Sequence, residues 1–116
     1  DAGRYLGDAF YDLAENATAR LAFAAAADLR PFGVTALTLA PGRVRTERAQ
    51  DAGLDEGARE SPLYAGRAAA ALIAEKNVAP FSGRVLHAAE LAEQYGFADE
   101  DGRRPARLKL APTEET

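Results

Sequence analysis

Apolar residues in the first quarter of the chain recur at steps of three and four positions, which is the spacing of one face of an α-helix. Asp8 stands where an N-cap is expected, and Asp12 falls in the first turn. We predict a long amphipathic helix over residues 9–29, because Pro31 disfavours a helical residue before it and Gly33 suits a left-handed exit. The apolar positions of this helix are Phe10, Leu13, Ala14, Ala17, Leu21, Ala24 and Ala25.

Two short β-prone runs stand between turn-forming residues. Residues 34–39, Val-Thr-Ala-Leu-Thr-Leu, lie between a glycine and a proline–glycine pair, which predicts a buried strand. Residues 84–87, Arg-Val-Leu-His, follow a serine–glycine turn and predict a second strand that ends at His87.

The segments around the second strand are predicted to be partly helical. Residues 43–60 are rich in charge and contain two glycines, which favours a loop with one helical turn. Ser61 as cap and a proline at the first helical position begin a helix that continues over residues 63–75. A last helical turn or two is predicted over residues 89–95.

The element order is helix, strand, loop, helix, strand and tail, which predicts an α/β fold. A strand, a crossover helix and a second strand favour a βαβ unit with parallel strands. Parallel strands are usually covered on both faces, and this chain supplies little cover, so we expect part of a larger sheet. We predict one domain over residues 1–98 and a loosely ordered tail over 99–116, with Asp99, Glu100 and Asp101 in a solvated turn.

Composition and charge exclude several classes of partner and site. The 116 residues fit a single domain, and the net charge of −4 offers no attraction for nucleic acid or an anionic membrane. The chain has no cysteine and only His87 as an imidazole, so we expect no metal site. We find no membrane span and no signal-peptide pattern, which makes the cytoplasm the expected location.

Several separated stretches carry a specific combination of residues. They are 11–15 (Tyr-Asp-Leu-Ala-Glu), 29–35 (Leu-Arg-Pro-Phe-Gly-Val-Thr), 41–47 (Pro-Gly-Arg-Val-Arg-Thr-Glu), 60–67, 82–86 and 95–102. In this order and spacing they resemble the C-terminal part of a short-chain dehydrogenase/reductase, and the later ones are similar to the dehydrogenase/reductase family member 1 subfamily. The resemblance covers roughly residues 1 to 105.

The resemblance implies the C-terminal portion of a doubly wound, Rossmann-like parallel sheet. It also implies an oxidoreductase that uses NAD or NADP on a carbonyl or alcohol substrate. The family's glycine-rich cofactor turn and its catalytic serine precede the tyrosine helix, and the serine position would fall before Asp1. We therefore expect a truncated, reductase-like chain that is inactive by itself, with the choice between NAD and NADP left open.

Tyr11 matches the family's catalytic tyrosine, but Glu15 occupies the position of its lysine. A lysine ~5.5 Å away would stabilise tyrosinate by roughly 3 kcal/mol at an effective dielectric constant near 20. A glutamate reverses the sign of that interaction. We expect Tyr11 to be catalytically silent here; its alternative role is that of a helix residue packing its ring on the sheet, with Glu15 an exposed carboxylate.

The proline–glycine loop is the second part of the implied site. By resemblance, Pro41, Gly42, Val44 and Thr46 approach the nicotinamide carboxamide and the diphosphate of the cofactor. A proline–glycine pair after a strand is otherwise only a turn. The alternative function for the whole chain is a non-catalytic interaction module, a homo-oligomer formed through the helix over residues 9–29.

Overall fold

The computed structural model describes residues 5–53 and 60–107. The first helix, α1, runs over Ala9–Leu29 as predicted. The Asp8 carboxylate accepts a hydrogen bond from the Tyr11 backbone N–H at 2.9 Å and so caps its start. A 3-10 turn over Arg30–Phe32 follows, and Gly33 leaves it in the left-handed conformation with φ of 70°.

Two parallel strands form the sheet. They are β1 (Thr38–Ala40) and β2 (Val85–His87), with Thr38 opposite Val85 and Ala40 opposite His87. The parallel pairing and the bounds of the second strand are confirmed, to within one residue. The described residues therefore form an α/β unit with a two-stranded parallel sheet.

The predicted first strand, residues 34–39, is wrong at its beginning and in its burial. Extending the register backwards places residues 34–37 opposite residues 81–84, where the chain leaves a 3-10 turn over Ala79–Phe81 and has not yet become a strand. Regular pairing therefore begins only at Thr38. Val34 is also 47% exposed rather than buried.

In the described part of the chain, three α-helices follow β1. They are α2 (Glu47–Asp51), α3 (Pro62–Ala74) and α4 (Ala88–Tyr95). The first is the helical turn predicted in the charged loop, and the other two match their predictions to within one residue at each end. Residues 54–59 of that loop lie outside the described residues.

The hydrophobic core lies between α3, α4 and β2. The ring of Tyr64 is fully buried and packs edge-on against Phe97, with ring centroids 5.6 Å apart. The buried apolar residues of this cluster are Tyr64, Ala68, Leu72, Leu86, Ala88, Ala89, Leu91 and Ala92. Most of the burial in the described chain is therefore on the C-terminal side of β1.

Helix α1 packs differently from its predicted amphipathic face. Its one buried residue is Ala26, whereas Phe10, Leu13 and Leu21 are 84%, 66% and 70% exposed. The helix comes close to the turn before β2, because a Cβ on Gly83 would lie 3.5 Å from the Ala26 Cβ. The Phe23 ring lies 3.7 Å from the same position, so one small and one large side chain of α1 both lie against this turn.

The described part of the tail contacts the core. The Tyr64 hydroxyl donates to the Pro105 carbonyl at 3.3 Å, and an Arg104 nitrogen donates to the Gly96 carbonyl at 3.1 Å. Residues 108–116 lie outside the described residues, so the predicted division after Ala98 stays a prediction. Within the described ranges, no helix has the length and apolar character that crossing a membrane requires.

Candidate functional site at the carboxyl end of the sheet

Both strands end at the same edge of the sheet, where Ala40 pairs with His87. In open α/β sheets, ligands bind outside the carboxyl ends of the strands. A cleft of about 120 Å³ opens at this edge, lined by Ala40, Pro41, Gly42, Glu60, His87, Ala88, Ala89 and Arg107.

The carboxylate of Glu60 reaches the loop after β1. The Gly42 backbone N–H donates to Glu60 Oε2 at 2.9 Å, and Glu60 is only 2% exposed. A Cβ on residue 42 would lie 2.6 Å from Glu60 Oε1. Glycine at this position therefore lets the carboxylate come close to the backbone.

The backbone of Glu60 also pairs with this loop. The Arg45 N–H donates to the Glu60 carbonyl at 2.8 Å, and the Glu60 N–H donates to the Arg43 carbonyl at 3.1 Å. Val44, between the two arginines, forms an isolated parallel bridge with Glu60. The loop after β1 is thus attached to Glu60, which lies two residues before the first residue of α3.

Asp99 fixes the next residue, Ser61. Its carboxylate accepts from the Ser61 backbone N–H at 2.8 Å, from the Ser61 hydroxyl at 2.5 Å and from the Glu100 N–H at 2.7 Å. The predicted solvated turn is wrong for Asp99, which is 2% exposed. Ser61 does occupy the N-cap position of α3, but its hydroxyl donates to Asp99 and makes no capping hydrogen bond to the helix.

The pKa values of the two buried carboxyl groups, Glu60 and Asp99, are shifted in opposite directions. Burial raises the pKa of Glu60, the charge of Asp99 raises it further, and the hydrogen bond from Gly42 opposes both. Burial also pushes the pKa of Asp99 upwards, but its hydrogen bonds from Ser61 and Glu100 prevail and lower the pKa below its usual value. The number of donors decides which carboxyl group keeps its charge more readily.

His87 ends β2, as predicted, and lines the cleft. Burial lowers its pKa, the charge of Arg107 lowers it further, and Glu90 opposes them. Arg107 is itself paired with Glu90 at 2.8 Å. Across residues 5–53 and 60–107 there is no group of three or more side chains suited to holding a metal ion.

The predicted site residues fall into two groups. Pro41 and Gly42 line the cleft and Val44 adjoins it, while the Thr46 carbonyl accepts from the Gln50 N–H at 3.0 Å and so begins α2. None of the six predicted residues except Pro41 and Gly42 is among the described residues that line the cleft.

Tyr11 and Glu15 both lie on α1, one turn apart. Tyr11 is 56% exposed, so the alternative interpretation that its ring packs on the sheet is wrong. Glu15 is exposed, as predicted for a helix carboxylate. Tyr11 is also about 22 Å along the helix axis from Ala26, the buried position of α1.

Sequence reasoning missed the role of Glu60 and that of Asp99. Glu60 closes a charged run and Asp99 opens an acidic triplet, which are patterns typical of solvated segments. Their partners lie 18 and 38 positions away in the chain. No local pattern marks such contacts.

The sequence of the chain is similar to those of known proteins. No protein-family model matches the chain. It is 33% identical to dehydrogenase/reductase SDR family member 1 of Mus musculus and 30% identical to the protein of the same name of Homo sapiens. These matches cover 80% and 86% of this chain but 34% and 37% of the relatives, so the chain spans about a third of their length. The predicted resemblance to part of a short-chain dehydrogenase/reductase is confirmed.

Proposed function

We propose that the chain forms the C-terminal part of an NAD(P)-dependent short-chain dehydrogenase/reductase fold, a doubly wound parallel sheet, acting on a carbonyl or alcohol. The observation that carries this proposal is the position of Pro41 and Gly42. They line a cleft at the carboxyl end of a parallel strand, where sheets of this kind bind ligands. The similarity to two dehydrogenase/reductase proteins supports the same function.

The residues of the loop suit the nicotinamide end of the cofactor. Gly42 has no side chain on the face that the Glu60 carboxylate occupies, so that carboxylate can hold the loop, and Val44 and Thr46 follow with the family's spacing. NAD(P), when bound, supplies the hydride acceptor or donor. The part of the protein is to orient the ring and to keep water from one side of it.

We further propose that these 116 residues do not turn over substrate by themselves. The family's lysine would hold a positive charge beside the tyrosine, whereas Glu15 is a carboxylate and the lysines of the sequence are at positions 76 and 109. The sequence contains no glycine-rich turn between a strand and a helix that could receive a pyrophosphate. Tyr11 is exposed and lies outside the lining of the cleft.

Nuclear magnetic resonance of the ¹⁵N-labelled chain tests the cofactor site directly. Millimolar NADH or NADPH should shift the amide resonances of residues 42–46, and ADP-ribose, which lacks the nicotinamide, should shift them much less. The same samples with a panel of aldehydes and ketones should show no loss of NAD(P)H absorbance. If neither dinucleotide shifts the amide resonances of residues 42–46, the proposed cofactor site is overturned.

A second candidate function, self-association through α1, has its own supporting observation. Phe10, Leu13 and Leu21 recur at helical spacing and are each at least 66% exposed. We propose that these residues pair with a second copy of the chain. Sedimentation equilibrium should show a dimer or larger species that Leu13→Glu with Leu21→Glu dissociates, while Thr18→Glu leaves it intact. A monomeric unsubstituted chain would refute this candidate.

A further inference from the structure

We propose that Glu60 is a positioning residue: its carboxylate holds the backbone amide of Gly42 and so fixes the proline–glycine loop for the nicotinamide end of NAD(P). The inference rests on the proposed function, which it deepens by naming a residue outside the loop. The role assigned to Glu60 is to accept the hydrogen bond of the Gly42 N–H.

The geometry identifies the atom that Glu60 controls. Pro41 has no N–H, so the first backbone donor after β1 is that of Gly42. That donor is directed to Glu60 Oε2 at 2.9 Å rather than to another strand. The direction of the peptide between Pro41 and Gly42 is therefore set by the position of one carboxylate.

The carboxylate is itself held in place from both sides. The backbone of Glu60 bonds to Arg43 and Arg45, and the next residue, Ser61, is bonded twice by Asp99. The side chain of Glu60 thus bonds Gly42 and its backbone bonds Arg43 and Arg45, so Glu60 contacts the loop on both sides of Val44. A shift of the loop would require these contacts to break together.

Glycine at position 42 is part of the same arrangement. An alanine Cβ would lie 2.6 Å from Glu60 Oε1, so the carboxylate would have to move away from the amide. Gly42→Ala keeps the backbone N–H and removes its partner. It therefore tests the contact without changing Glu60.

A purely structural role for Glu60 is a poor explanation of its residue type. A buried carboxylate with a single amide contact costs stability, and an apolar side chain or a glutamine would fill the same space at less cost. Among the described contacts, no cationic side chain bonds to the Glu60 carboxylate. The titratable and charged groups near it are Asp99 from the tail, His87 and Arg107 from the cleft, Arg43 and Arg45 from the loop and Tyr64 from α3.

The test uses the full chain with Glu60→Ala, Glu60→Gln and Gly42→Ala, and with Glu93→Gln as the matched control. Glu93 is an exposed glutamate of α4 that lies outside the lining of the cleft. The readouts are the Gly42 amide resonance as a function of pH, the NADH dissociation constant from resonance shifts, and the thermal midpoint.

The unsubstituted chain should show a Gly42 resonance that follows the titration of Glu60, and Glu60→Gln should abolish this dependence. The NADH dissociation constant should rise about tenfold in Glu60→Ala and Gly42→Ala and about threefold in Glu60→Gln, which keeps a neutral acceptor. Glu93→Gln should change neither quantity. The thermal midpoint of Glu60→Gln at neutral pH should be no lower than that of the unsubstituted chain. If Glu60 served only to stabilise the fold, the thermal midpoint of this variant would be lower.

Two results separate this inference from the proposed function. A Gly42 resonance that does not respond to pH or to Glu60→Gln, or an NADH affinity of Glu60→Ala within twofold of the unsubstituted chain, would overturn the positioning role. In a second outcome, the Gly42 resonance of the unsubstituted chain follows the titration of Glu60, but NADH shifts no resonance of the chain. That result would overturn the proposed function and, with it, the cofactor part of the inference.

Discussion

Helices α1 and α3 are both alanine-rich and both begin at well-defined residues, but they are buried to very different extents. Of the 21 residues of α1 only Ala26 is buried, whereas the 13 residues of α3 bury Tyr64, Ala68 and Leu72. The difference comes from what each helix faces among the described residues: α3 packs against α4 and β1, whereas α1 lies against β1 and the turn before β2. A helical pattern thus determines that a helix forms, and its neighbours determine what it buries.

The candidate site is divided in the same way. Pro41 and Gly42 rest on the well-packed side, where two buried carboxylates hold the chain. Tyr11 and Glu15 belong to the weakly packed helix and stay exposed. The residues that the resemblance assigns to one site therefore lie in two regions with unequal structural support.

The largest effect should come from truncating matched leucines in the two regions. Leu91→Ala on α4 removes a side chain that is 2% exposed and should destabilise the fold by about 3 kcal/mol. Leu21→Ala on α1, where the side chain is 70% exposed, should change the free energy of unfolding by less than about 0.5 kcal/mol. Urea unfolding at a concentration where the chain is monomeric gives both values. Equal losses would mean that α1 buries more in solution than its exposed leucines indicate.

Removal of the Asp99 carboxylate should have the next largest effect. Asp99→Ala leaves the Ser61 N–H and hydroxyl and the Glu100 N–H without their acceptor, which should cost about 2 kcal/mol. Asp101→Ala, in the same acidic triplet but exposed, should leave the unfolding midpoint nearly unchanged. If the two variants unfold alike, Asp99 does not anchor α3.

Acid titration should separate Asp99 from Glu60 by sign. The folded-state pKa of Asp99 is lowered from 3.8, so its stabilisation is complete above that value and is lost as the pH falls through the folded-state pKa. The folded-state pKa of Glu60 is raised from 4.5, so its contribution is complete below 4.5 and is lost as the pH rises through the raised pKa. Melting curves should show Asp99→Asn weakening the first dependence, to which the lowered pKa values of Asp101 and Glu75 also contribute, and Glu60→Gln removing the second. A single dependence abolished by either variant would show that the two groups titrate as one.

The sequence was sufficient for features that depend on neighbours along the chain. The cap at Asp8 and the left-handed exit at Gly33 predicted the ends of α1 because caps and exits are set within a few residues. The start of β1 was predicted four residues too early, because pairing depends on where β2 begins, more than forty positions away. Asp99 was missed for the same reason, since its partner Ser61 lies 38 positions before it.

The smallest effect should come from restoring the family's lysine on α1. Glu15 is exposed, so Glu15→Lys replaces one solvated charge by another and should change the free energy of unfolding by no more than about 0.5 kcal/mol. NADH oxidation with carbonyl substrates should stay absent, because the lysine would join Tyr11 on a helix whose residues do not line the cleft. Glu15→Gln is the matched control, since it removes the negative charge without adding a positive one. Turnover in Glu15→Lys but not in Glu15→Gln would show that α1 and the proline–glycine loop do form one site, and that the residue at position 15 alone had kept it silent.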